Sequence, residues 1–150
     1  MKKVIIYGFG EAGKQIADDI INKRSYEIIG FLDDDKNKIN LDYKGFKVLG
    51  DINKLEELIK NQKIDTLIIA MPSASIERIR EIELIALKNK ITDIKIIPKH
   101  YVKEEKVYLK HIVDIDILDI FNKREVSIDY EKLKSFYKNK VILIKRAFKF

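Results

Sequence analysis

Lys2-Lys3-Val4-Ile5-Ile6-Tyr7 runs directly into Gly8-Phe9-Gly10-Glu11-Ala12-Gly13, and a helical pattern opens at Lys14. The apolar run reads as a buried strand. Ile16, Ala17, Ile20 and Ile21 recur at helical spacing and predict one buried helix face. A Gly-x-Gly-x-x-Gly between a strand and a helix has the context that gives the motif its meaning. Gly8 permits the tight turn out of the strand. Gly10, without a side chain, lets a ligand's phosphates approach the backbone, and Gly13 lets the helix pack closely on the strand. The first amides of that helix have no partner within it, and its dipole adds positive charge there. A pyrophosphate is the expected occupant, so residues 8–13 form the predicted phosphate loop. Glu11, inside that loop, suits the positive end of the helix and is a candidate ligand contact.

A second strand, Glu27 to Leu32, ends in Asp33-Asp34-Asp35. Asp33 lies twenty residues beyond Gly13, about where such a unit places the acid that receives a ribose diol. Asp34 and Asp35 read first as a solvated turn with capping potential; Asp34 stays in the candidate set beside Asp33. A carboxylate here predicts preference for NAD(H) or a UDP-sugar over NADP(H), whose 2′-phosphate it would repel. Lys36 and Lys38 are the nearest cations.

The alternation continues. Residues 36–45 read as a loop and Phe46–Leu49 as a third strand. Asp51 is a candidate cap for a helix with Leu55, Leu58 and Ile59 inward. Thr66 to Met71 is a near-continuous apolar run, as expected for a parallel strand covered on both faces. Pro72 stops it, and Ser73 or Ser75 caps a helix reaching about Lys90, with Ile76, Ile79, Ile82 and Ala86 inward. Ile94–Ile97 is a fifth strand. The expected fold is an α/β, Rossmann-like doubly wound parallel sheet in the order 3-2-1-4-5, with a small α+β C-terminal extension. Its ligand crevice lies outside the carboxyl ends of the strands, bringing Ala70, Met71, Pro72 and Ser73 to the glycine loop.

Beyond residue 100 the expectations are a loose edge strand over Val107–Val113, short elements through Tyr137, and a last strand, Val141–Ile144, before a basic tail. The domain reading is a nucleotide-binding domain over 1–100, a connector over 101–138 and a remnant strand with tail over 139–150.

Composition excludes much. The 150 residues contain no cysteine, so thiolate metal sites and cysteine nucleophiles are ruled out. The net charge of +6 belongs largely to the tail: without its five cations, 25 basic residues face 24 acidic ones. Nucleic acid is not an expected partner. No apolar run reaches the ~20 residues of a membrane span, and Met1 leads into the first strand without a signal peptide; a cytoplasmic location is the expectation. No nucleophile–base pair or metal-ligand cluster is found, so no catalytic residue is assigned. Tyr130 with Lys134 lacks a preceding glycine loop, and His100 and His111 read as isolated loop or surface residues.

Residues 7–15 (Tyr-Gly-Phe-Gly-Glu-Ala-Gly-Lys-Gln), 30–35 (Gly-Phe-Leu-Asp-Asp-Asp), 48–50 (Val-Leu-Gly) and 68–75 (Ile-Ile-Ala-Met-Pro-Ser-Ala-Ser) together resemble a known family. They are similar to the region preceding the catalytic domain in CapD-like nucleotide-sugar 4,6-dehydratases and epimerases of polysaccharide biosynthesis. Residues 114–123 resemble that family's connector, and Asn139–Ile144 the first strand of its catalytic domain. The family continues into Thr-Gly-x-Gly-Gly-Ser-Ile-Gly; here Lys145-Arg146-Ala147-Phe148 follows. The connector's Gly-Arg-Glu-Pro is Asn122-Lys123-Arg124-Glu125. The resemblance therefore implies a CoA-binding-like accessory domain that binds NAD or a nucleotide-sugar and is not catalytic alone. Its partners would be a nucleotide and either a second copy of the chain or a separate catalytic domain. The alternatives are a structural or oligomerising domain without ligand, or a UDP-sugar module like that of sugar acetyltransferases. CoA-binding domains and NADH-sensing repressors share the loop and the strand ending in Ala-x-Pro.

Overall fold

The computed structural model describes residues 1–98 and 106–115. Strand β1 (Lys3–Tyr7) sits at the centre, parallel to β2 (Glu27–Leu32) on one side and β5 (Thr66–Ile69) on the other. β6 (Asp93–Ile96) continues the parallel sheet, and β7 (Val113–Asp114) adds an antiparallel edge. The order is β2-β1-β5-β6-β7. Helices α1 (Glu11–Lys23), α2 (Lys54–Asn61) and α3 (Ile76–Lys88) provide the crossovers. This is the expected Rossmann-like sheet, and β1 and β5 flank its switch point.

The third strand is smaller than the sequence suggested. Phe46–Lys47 (β4) pairs with Asp42–Tyr43 (β3) as a separate hairpin. Lys44 and Gly45 join them with φ of 53° and 89°, the doubly positive geometry of a tight hairpin turn. Val48 joins the main sheet, bridging Phe31 in parallel. The Leu49 amide also donates to the Phe31 carbonyl at 2.9 Å. A strand of four was expected; the turn at Gly45 diverts its first half into the hairpin.

Side chains alternate across β1. Val4 and Ile6 join Ile16, Ala17 and Ile20 of α1, with Phe31, Val48 and Ile68, in one buried cluster. Ile5 and Tyr7 face the other way and are fully buried as well. Burying each such aliphatic chain is worth roughly 1.5–3 kcal/mol, so burial on both faces explains why the run lacks polar alternation.

Several boundaries differ from expectation. α1 begins at Glu11 rather than Lys14, and Ile21 is 38% exposed rather than buried. Asn53, not Asp51, precedes α2; Asp51 instead accepts from the Asn53 amide at 2.9 Å, shaping the turn before it. Leu55 is buried there, while Leu58 and Ile59 are half-buried. Ser75 caps α3 by accepting from the Arg78 amide at 3.2 Å, which leaves Ser73 uncommitted to the helix. Within 107–113, a short 3₁₀ turn (Leu109–His111) replaces most of the expected edge strand. His111 is buried, its Nδ1 accepting from the Tyr108 amide at 3.1 Å. His100, the elements expected over 116–137 and the strand and tail of 139–150 lie outside the described residues.

Candidate functional site

At two of its three glycines the loop after β1 has no room for a side chain. Gly8 has φ of +115°, and a Cβ there would lie 2.7 Å from the Ala70 carbonyl oxygen. A Cβ on Gly13 would lie 2.0 Å from the Gly8 carbonyl oxygen. Because α1 starts at Glu11, Gly13 sits inside its first turn, pressed on the loop. Gly10 is different. Its φ of −96° suits any residue, and a Cβ there would meet nothing within 4 Å. No protein atom requires glycine at position 10, and the space in front of it is open. Gly10 also caps α1 without a side-chain hydrogen bond, so no cap side chain takes up the first-turn amides.

That space is a crevice of about 420 Å³ at the carboxyl end of the sheet. It is lined by Gly8, Gly10, Glu11, Ala12, Gln15, Asp33, Lys38, Ala70, Met71, Pro72, Ser73 and Val107. A larger hollow of about 610 Å³ lies at the β7 edge between Tyr26, Lys95 and Leu109–Asp114, away from the glycine loop.

Asp33 is 9% exposed and carries the loop. Its Oδ2 accepts from the Phe9 amide at 2.7 Å and from Lys38 Nζ at 3.2 Å; its Oδ1 accepts from the Asp35 amide at 2.9 Å. Burial pushes its carboxyl pKa up, but the two amides and Lys38 outweigh that, and the net shift is downward. Asp33 is therefore an ionised strut under the glycine loop as well as a crevice wall.

Three candidates from the sequence do not line the crevice. Phe9 turns its ring into the core, edge-on to Phe31 at 5.0 Å, and contributes its amide to Asp33. Gly13 is buried behind Gly8. Asp34 leaves the glycine loop altogether: its carboxylate accepts from the Tyr7 hydroxyl and, at 2.7 Å, from Arg78. Arg78 also donates to the Tyr7 oxygen at 2.9 Å and to Glu81 at 2.8 Å. Burial, then the Asp34 carboxylate, raises the Tyr7 phenol well above its ordinary pKa. The trio ties the ends of β1 and β2 to the first turn of α3. Asp35 fills the expected capping role, accepting from the Asn37 amide at 2.9 Å.

Of three further lining residues, Gln15 and Val107 went unnoticed in the sequence, and Lys38 figures there only as a cation near Asp33. Lys38 arrives because the Asp35-capped turn (Lys36–Lys38) folds the chain back toward Asp33. Gln15 lies one helical turn beyond Glu11 and donates to its carboxylate at 3.0 Å. Val107 is held by a long-range contact, its amide donating to Gln15 Oε1 at 2.7 Å; the Leu109 amide likewise donates to Asp19 at 2.8 Å. A spacing rule could have flagged Lys38, five residues past Asp33. Nothing local marks Val107. Among the described residues, no group of three or more His, Asp or Glu could hold a metal, and no helix is long and apolar enough to cross a membrane.

The CoA-binding domain family matches residues 1–98. The chain belongs to that family. Within it, the chain is homologous to the N-terminal region of CapD- and EpsC-type polysaccharide biosynthesis proteins. A solved UDP-D-quinovosamine 4-dehydrogenase from Vibrio fischeri is 31% identical, with a TM-score of 0.66; the match covers 79% of this chain and 97% of that one. The probable polysaccharide biosynthesis protein EpsC of Bacillus subtilis (strain 168) and the capsular polysaccharide biosynthesis protein CapD of Staphylococcus aureus are each 25% identical over 97% of this chain. The chain spans about a quarter of the length of each, 25%. RSP, a Rex-family repressor solved with β-NADH, shares the fold at 20% identity and a TM-score of 0.58, over 92% of this chain and 65% of its own.

Proposed function

We propose that this chain is a nucleotide-binding accessory domain serving an enzyme of nucleotide-sugar chemistry in polysaccharide biosynthesis, and is not catalytic alone. The observation that carries this reading is Gly10: an unstrained glycine facing open space at the start of an uncapped helix. A diphosphate fits there by chemistry, taking the first-turn amides and the helix dipole. Asp33, fixed by two backbone amides, stands where a ribose would lie. Ala70 to Ser73 form the opposite wall, toward the ligand's second half.

NAD(H) is the first candidate ligand, since the glycine loop followed by Asp33 suits a dinucleotide and a fold relative is known with β-NADH. A UDP-sugar is the second, favoured by the match to a UDP-quinovosamine dehydrogenase. A thermal-shift panel of NAD+, NADH, CoA and UDP-N-acetylglucosamine tests the reading. A ligand at a hundred times its Kd stabilises by roughly 2.7 kcal/mol, a rise of several degrees in Tm. A flat response to every member of the panel at millimolar concentration would instead mark a structural domain.

A further inference from the structure

The pairing of Lys38 with Asp33 changes what the ribose end of the crevice can accept. An isolated carboxylate would repel a phosphate on the ribose. Here both charged groups line the crevice, with Lys38 Nζ 3.2 Å from Asp33 Oδ2. The two backbone amides hold Asp33 in place by themselves, at 2.7 and 2.9 Å. Lys38 is therefore not needed as a strut. Its side chain is 34% exposed, against 12% for Asp33, so the lysine arm borders solvent while the carboxylate is largely buried.

Resting on the nucleotide reading above, we propose that Lys38 is a specificity-determining residue: it lets the crevice accept a nucleotide whose ribose carries a phosphomonoester. With a free diol, Lys38 stays on Asp33 and a ribose hydroxyl donates into the carboxylate's remaining capacity, since an ionised carboxylate offers about four acceptor sites. With a phosphorylated ribose, the ammonium turns to the phosphate, a charge-assisted contact stronger than a neutral hydrogen bond. The discrimination against NADP(H) expected from Asp33 alone is thereby lost.

The test titrates AMP, adenosine 2′,5′-bisphosphate and adenosine 3′,5′-bisphosphate into the intact chain by calorimetry. The wild type should bind at least one bisphosphate as tightly as AMP, and the two bisphosphates tell which ribose oxygen faces Lys38. Lys38→Met should weaken that bisphosphate about tenfold more than it weakens AMP, the scale of one charged hydrogen bond. Lys38→Arg should restore the ratio, and Lys36→Met, on an exposed neighbour, should leave it as in the wild type. Equal losses for AMP and the bisphosphates in Lys38→Met, or a wild type favouring AMP over both by more than about tenfold, would overturn the assignment of Lys38 while leaving nucleotide binding intact. Failure of the wild type to bind any of the three would overturn both the assignment of Lys38 and the adenine-nucleotide form of the reading beneath it, leaving the UDP-sugar form to its own titration.

Discussion

Two glycines of the loop are required by the fold and the third faces the open crevice, where we propose the ligand lies, and substitution separates them. Gly13→Ala would drive a methyl group to 2.0 Å from the Gly8 carbonyl oxygen; a loss of about 3 kcal/mol or more, at the upper end for overpacking, is expected in a denaturant melt. The Cβ of Gly10→Val would meet no protein atom within 4 Å, so its melt should stay within about 1 kcal/mol of wild type, the cost of a poorer helix cap. Asp33 adds a pH signature. Its carboxyl is shifted downward in the folded chain, so its contribution is present above the unfolded pKa, about 3.9, and fades as pH falls through the lower folded value. Asp33→Asn should therefore be less stable than wild type at neutral pH, with the gap closing below about pH 4. A gap that persists unchanged at pH 2–3 would mean that the charge on Asp33 is not what holds the loop.

At the scale of elements, the sequence was most legible where one signal governed the whole element. β1, β2, β5 and β6 are apolar runs closed by glycine, aspartate or proline, and their order followed from crossover handedness. Boundaries set by competition were less legible. α1 opens at Glu11, since α-helical geometry begins as soon as Gly10 releases the chain, three residues before the apolar periodicity shows. The third strand lost its first half to a hairpin because Lys44-Gly45 can adopt two positive φ values, a turn signal inside what reads as loop. The Gln15–Val107 and Asp19–Leu109 contacts link residues some ninety positions apart, and no local pattern encodes them. They bring Val107 to the wall of the crevice. Gln15→Ala leaves the buried Val107 amide without its acceptor, at a cost of about 1–3 kcal/mol to local order. Amide exchange at Val107 and Leu109 should quicken while that of β1 stays slow; unchanged exchange at Val107 would show that the segment is held by other contacts.

At the scale of the whole molecule, the described residues make one five-stranded sheet, parallel except for its edge strand β7, with the glycine-loop crevice at its switch point. Dehydratase or epimerase chemistry requires a hydride acceptor beside the sugar and a base positioned on a hydroxyl proton. The acidic groups that line this crevice are Asp33, on two amides and Lys38, and Glu11, on Gln15. Incubation with UDP-N-acetylglucosamine and NAD+ should give no turnover, and steady conversion that survives rigorous purification would contradict the accessory reading. The central claim is narrower than an activity, and a paired titration reaches it directly. NAD+ and a UDP-sugar are each titrated into wild type and Gly10→Val by calorimetry, with melts of both proteins alongside. The account predicts saturable binding to the wild type by at least one of them, abolished in a Gly10→Val protein that melts as the wild type does. Equal affinity in the two proteins would contradict it, because the space in front of Gly10 would then not be where the phosphates lie.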